Sequence, residues 1–287
     1  EMLGAEVEYY IPRRLEEGYG VKTEVLRQAY DRGCRLVISV DNGIRAFEPV
    51  KVSRQIGLDF IITDHHPPDR TLPDAYAILN PNCSRCSYPD KNLAAVGVVF
   101  KLVQALFQKA GKEKVLKHFL KLVAIGTVAD VVPLTGENRV IVWHGLRALE
   151  DPKNLGLRAL LKAAGVKREL GFFDLGFKIA PRINAVTRMG GGREVVDLFS
   201  VKAESEAQRI VQKMNTKNLL RQEEERRILE EIETRFQRDP SVFQGDFLVV
   251  SGEKWHRGVI GIVASRLVDR FHRPVLVLSF EGEFGQG

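Results

Sequence analysis

The chain has 287 residues, of which 44% are hydrophobic and 28% charged, and it carries a net charge of +6. That is the composition of a globular protein with room for two domains, each large enough to bury a core; no apolar run reaches membrane-spanning length and the first residues show no signal-peptide pattern, so no membrane is expected. Three cysteines, Cys34, Cys83 and Cys86, are an odd count that fits a reducing cytoplasm rather than a disulfide scaffold, and the basic balance allows a polyanion partner without requiring one.

In chain order, "GAEVEYYIP" (4–12) alternates and reads as a strand. "CRLVISVDNG" (34–43) and "LDFIITDHH" (58–66) read as buried strands, and "RAFEPVKVSRQIG" between them has helical spacing. Strand, helix, strand at this pitch predicts βαβ units and a parallel sheet. Cys83 and Cys86 form a C-x-x-C with no second pair to complete a zinc site, and they read as loop thiols. Two helices follow, over 92–111 and 113–130, the second ending at Asp130, and shorter helical segments fill 138–165. Residues 175–192, "LGFKIAPRINAVTRMGGG", read as loop, with Arg182, Asn184 and Arg188 on it.

Residues 203–238 read as one helix with an apolar stripe at each end and a charged, solvated middle, "RQEEERR". At 1.5 Å per residue such a helix spans roughly 50 Å, as a connector between domains would. Residues 246–280 read as strand, helix, strand, which cannot close a core alone. The chain opens inside one strand-like pattern and stops just after another, so a fragment is expected. The fold class is α/β: a parallel-sheet domain over 1–202, a connector helix over 203–238, and the start of a second, smaller α/β domain over 246–287.

The chemistry concentrates at strand ends. Asp41 follows "LVISV", and Asp64, His65 and His66 follow "FIIT". Open parallel sheets bind ligands at those carboxyl ends. Asp130 supplies a third carboxylate if its helix ends at the same edge. Carboxylates gathered in this way call for a cation, and carboxylate with imidazole and no thiolate suits Mn²⁺ or Mg²⁺.

"TDHHPPD" resembles the motif of the DHH phosphoesterase superfamily. The stretches "PRRLEEGYG", "ISVDNG", "AAVGVVFKL", "AIGTVADVVPLTGENR", "APRINAVTRMG" and "HRGVIGIVASRLVDRFHRPVLVLS" resemble its RecJ-type single-strand-specific exonucleases in order along the chain. The resemblance implies a two-metal phosphodiesterase with two divalent cations, Mn²⁺ rather than Mg²⁺. Asp41 would bridge both ions, His65 and Asp130 would ligate one, and Asp64 would belong to the metal site by orienting His65. His66 would contact the scissile phosphate. Arg182, Arg188 and Asn184 would touch substrate phosphates, with Arg13 as a further candidate. The substrate would be single-stranded DNA, degraded from its 5′ end to 5′-mononucleotides in repair and recombination, by a cytoplasmic monomer that works beside a single-strand-binding protein or helicase.

The resemblance also has gaps. The family's Asp-x-Asp-x-Asp-Gly motif and its Gly-Ser-Gly-Arg-Ser motif, part of a DHHA1-type substrate-binding domain, are not in the chain, and Val186 and Thr187 stand where the family has Ala and Gly. The 287 residues alone are therefore expected to be inactive. The alternatives are a DHH phosphoesterase acting on oligonucleotides or small phosphate compounds, and a non-catalytic nucleic-acid-binding relative.

Overall fold

The computed structural model describes residues 2–166, 169–239 and 245–287. Its helices are α1 (Arg14–Glu17), α2 (Thr23–Asp31), α3 (Phe47–Gln55), α4 (Ala95–Lys109), α5 (Leu120–Ala129), α6 (Gly136–Ala148), α7 (Leu155–Ala163), α8 (Phe172–Asp174), α9 (Ala180–Arg188), α10 (Arg193–Ser200), α11 (Glu204–Arg238) and α12 (Arg257–Phe271). The strands are β1 (Leu36–Val40), β2 (Asp59–Thr63), β3 (Ala77–Leu79), β4 (Leu248–Glu253), β5 (Val275–Glu281) and β6 (Phe284–Gln286). They form two compact units, residues 1–12 with 19–181 and residues 13–18 with 182–287. No helix among the described residues is long and apolar enough to cross a membrane.

The first unit holds a parallel sheet in the order β1–β2–β3. Leu26 of α2, Val50 of α3, Leu58 just before β2, and Phe60 and Ile62 on β2 close a core on one face of it. β2 is buried as expected, but β1 is not: Leu36, Ile38 and Val40 are 50%, 43% and 50% exposed, so the apolar run is covered on one side only. The alternating segment 4–12 is not a strand. Residues 5–13 carry no regular element, and no strand among the described residues pairs with them. Alternation without a neighbour cannot satisfy a backbone ladder, and this segment is tied down instead by contacts such as the Glu8–Arg32 ion pair at 2.9 Å.

A second core in this unit, with Leu93, Val98, Phe100, Val123 and Ile141, joins α4, α5 and α6. The helix expected over 113–130 is broken. A 3₁₀ segment, Glu113–His118, precedes α5. α5 is apolar apart from Lys121 and Thr127 and lies directly on α6, where a Cβ at Gly145 would overlap the Ala124 side chain and the Leu120 carbonyl.

Residues 175–188 are also helical rather than loop, and only 189–192 lack a helix. A π-helical segment, Leu175–Ile179, runs into α9, because Leu175, Ile179, Ala180, Ala185 and Val186 are buried at helical spacing.

In the second unit β4 and β5 pair in parallel, and β6 adds an antiparallel strand that the sequence pattern does not announce. The core that these strands and α12 could not close alone is completed by α11, whose Ile228 and Ile232 pack with Leu248, Trp255, Val259, Val263 and Val277. The charged middle of α11 is not fully solvated. Glu225 is 8% exposed and is held by Arg221 at 2.7 Å and Arg266 at 3.2 Å. Two guanidinium groups on one carboxylate offset the cost of burying it.

Candidate metal centre

The register of the first sheet aligns its strand ends. Val40 pairs with Thr63, and Thr63 with Leu79. The residues just beyond, Asp41, Asp64 and Asn80, therefore stand side by side at the carboxyl edge. The Asp41 N–H continues the ladder to the Thr63 carbonyl at 3.0 Å, and the Asp64 N–H does the same to Leu79 at 3.1 Å. Asp41 then turns the chain at φ 61°, a left-handed conformation that Asp tolerates better than most residues. Gly43 follows at φ 110°, where a Cβ would lie 2.6 Å from the Ser39 hydroxyl, so only glycine fits this turn.

Asp64 is 1% exposed. Its Oδ2 accepts from the Ile44 N–H at 3.0 Å. Its Oδ1 accepts from the His65 and His66 N–H groups at 2.8 and 3.2 Å and lies 2.7 Å from His66 Nδ1. Burial works against the charged carboxylate. The hydrogen bonds from the His66 ring and from the Ile44, His66 and His65 N–H groups outweigh it and hold Asp64 below the usual carboxylate range. Asp64 thus orients the ring of His66, not that of His65 as the resemblance implied, and it meets His65 through the backbone.

The ring of His65 turns the other way. Its Nε2 is 3.4 Å from Asp41 Oδ1 and 3.4 Å from Asp130 Oδ2. Asp130 arrives there because α5 ends at it and Val131 reverses the chain at φ 58°. The hydrogen bond to Asp41 raises His65 above its ordinary value; burial opposes this, and Asp130 adds to the rise. Burial likewise pushes the Asp130 carboxyl up, with His65 opposing and Asp41 reinforcing the shift. Asp41, His65 and His66 each bring a ligand atom to within 4.8 Å of the others.

A divalent cation fits this set. One imidazole nitrogen faces two carboxylates, and a single N–H cannot satisfy both. Asp130 also sits at a helix C-terminus, where the dipole disfavours a negative charge and favours a cation. The donors are carboxylate oxygens and imidazole nitrogens without thiolate.

The four residues expected on the substrate lie in the second unit. Arg182, Asn184 and Arg188 share α9. Arg182 Nε donates to Asn215 Oδ1 at 2.8 Å, and its burial pulls it below the ordinary arginine value. Arg188 donates to the Gly258 carbonyl at 3.3 Å, and a Cβ on Gly258 would overlap the Arg188 carbonyl oxygen. Asn184 is exposed, and its carbonyl accepts from the Thr187 hydroxyl at 2.9 Å. Arg13 precedes α1 and pairs with Glu16 at 3.2 Å on the surface.

Sequence reasoning passed over Asn80, which is 3% exposed, and Asn82. The available signal was "AILNPN", a short apolar run closed by a polar residue, the pattern that drew attention to Asp41 and Asp64.

A parallel sheet with carboxylates and imidazoles gathered at its carboxyl edge defines an α/β protein with a candidate divalent-cation site. A model of the DHH family, N-terminal domain, matches residues 1–127. A solved structure of exonuclease RecJ bound to manganese superimposes with a TM-score of 0.86 at 34% identity, covering 97% of this chain and 69% of that one. The chain belongs to the RecJ branch of the DHH family. It is 41% identical to the single-stranded-DNA-specific exonuclease RecJ of Bacillus subtilis over 99% of its own length, and 38% identical to that of Escherichia coli over 97%. It spans 36% and 51% of the lengths of these two curated relatives.

Proposed function

We propose that this chain is the catalytic segment of a single-strand-specific DNA exonuclease that hydrolyses phosphodiester bonds with divalent cations and releases 5′-mononucleotides from the 5′ end. The observation that carries this reading is the meeting of Asp41 and Asp130 on His65 Nε2, beside a His66 ring held by Asp64, in a chain that resembles a manganese-bound exonuclease along nearly its whole length.

Asp41, His65 and Asp130 hold the cation side of the site. The bound cations supply neutralisation of the phosphate and a lower cost of ionising water. Mn²⁺ is preferred to Mg²⁺ because imidazole nitrogen suits it better. His66, fixed from behind by Asp64 and half exposed, offers its outer ring edge to the scissile phosphate, where charge develops. Arg182, Arg188, Asn184 and Arg13 are assigned to substrate phosphates, arginine through its bidentate fork.

The test uses the protein at its full encoded length, with single strands labelled at either end, duplex DNA, and Mn²⁺, Mg²⁺ or EDTA. Labelled mononucleotide should appear first from the 5′-labelled single strand and only with a divalent cation. Equal digestion of duplex, release that starts from the 3′ end, or activity in EDTA would overturn the proposal.

A further inference from the structure

Asp64 ties the N–H groups of both His65 and His66. The carbonyls of the same two residues are tied as well, by side chains from the turn after β3. Asn80 Nδ2 donates to the His66 carbonyl at 2.9 Å, and Asn82 Nδ2 donates to the His65 carbonyl at 2.6 Å. The two asparagines are coupled, since Asn80 Oδ1 accepts from the Asn82 N–H at 2.8 Å. The far side of the turn is fastened by Lys91, whose ammonium donates to the Pro81 and Cys86 carbonyls at 2.8 and 2.7 Å.

Every backbone polar group of the His65–His66 pair is therefore held by a side chain. Fixing both the N–H and the carbonyl of a residue fixes its peptide planes, and these set the direction of its Cα–Cβ bond. Ligands held in this way lose little freedom when an ion binds.

We propose that Asn80 and Asn82 are positioning residues that aim the two imidazoles at the cation site. The inference rests on the metal-centre reading above. A purely structural role, in which the asparagines only close their own turn, makes a different prediction for Lys91, which braces the same turn without touching either histidine's carbonyl.

The experiment compares the chain with Asn82→Leu and Lys91→Met, using Mn²⁺ affinity by calorimetry and electron paramagnetic resonance, metal-free Tm, and the ring carbon–proton resonances of the histidines without metal. Asn82→Leu should weaken Mn²⁺ binding about tenfold or more and displace the His65 ring resonance, with a Tm loss no larger than that of Lys91→Met. Lys91→Met should bind Mn²⁺ as the parent does. Unchanged affinity in Asn82→Leu, or equal loss in both variants, would overturn the proposal. If the parent chain binds no Mn²⁺, the metal-centre reading falls with it, and an unmoved His65 resonance in Asn82→Leu would separately show that the amide does not aim the ring.

Discussion

Asp64 Oδ1 lies 2.7 Å from His66 Nδ1, while the neighbouring imidazole of His65 points its Nε2 at Asp41 and Asp130. Two adjacent histidines thus have separate employments. The carboxylate behind His66 is held below the usual range, so it is ionised at neutral pH and accepts the Nδ1 proton. That fixes the tautomer and leaves the outer nitrogen of His66 for a ligand.

His66→Ala in the full-length protein should therefore abolish turnover while leaving the Kd for single-stranded DNA within a few fold. Affinity in this reading comes from arginines on phosphates and falls with salt, whereas His66 acts on charge that develops in the transition state. Kd, kcat and Tm measured on one preparation check this. Parallel loss of Tm and kcat would make His66 a packing residue.

Mn²⁺ should raise the Tm of the chain, by the equivalent of about 2.7 kcal/mol at 100 times its Kd, and EDTA should reverse the effect. Asp130→Asn should remove that response. Because the burial that pushes its carboxyl up makes the charged form unfavourable, metal-free Asp130→Asn should melt no lower than the parent. Thermal melts with and without Mn²⁺ read both effects.

Glu224 gives a pH-dependent test in the second unit. The Arg227 guanidinium, bonded to it at 2.9 and 2.7 Å, and the His256 N–H at 3.1 Å hold its carboxyl below the ordinary glutamate value of 4.5. A depressed carboxyl stabilises the fold above its unfolded value and loses that contribution as pH falls through the folded one. Glu224→Gln should cost about 1 kcal/mol at neutral pH, given the partial exposure of the pair. The cost should shrink below pH 4.5. Denaturant melts at pH 7 and at successively lower pH measure the convergence.

Two glycines of α12 should respond in opposite directions. Gly258→Ala drives a methyl into the Arg188 carbonyl and should cost about 1–3 kcal/mol. Gly261 has nothing within 4 Å of an added Cβ, so Gly261→Ala should gain about 0.5–1 kcal/mol from helix propensity alone. Urea melts of the two variants decide it.

The strand ends that carry Asp41 and Asp64 were legible because five-residue apolar runs closed by polar residues are long enough to show a pattern. β3 has three residues, too few for any period, so Asn80 went unnoticed although the register sets it beside Asp64. Which histidine Asp64 holds was within reach of the sequence, since alternation at a strand end puts residues 64 and 66 on one side and 65 on the other. Other features lay beyond it. The segment 4–12 alternates but finds no neighbour among the described residues, and a local pattern cannot report a missing partner. Glu225 reads as solvated charge because the second arginine that buries it, Arg266, comes from α12.

Gly145 touches no proposed ligand, yet it governs one. α6 offers no side chain of its own where the Ala124 methyl of α5 rests on it, and the last turn of α5 delivers Asp130 to the sheet edge. The missing methyl is in effect a shim of zero thickness. Any side chain larger than hydrogen would lever α5 outward, and the carboxylate at its tip would back away from His65. The reach of the cation site is thereby calibrated two helices from the sheet, by an atom that is not there.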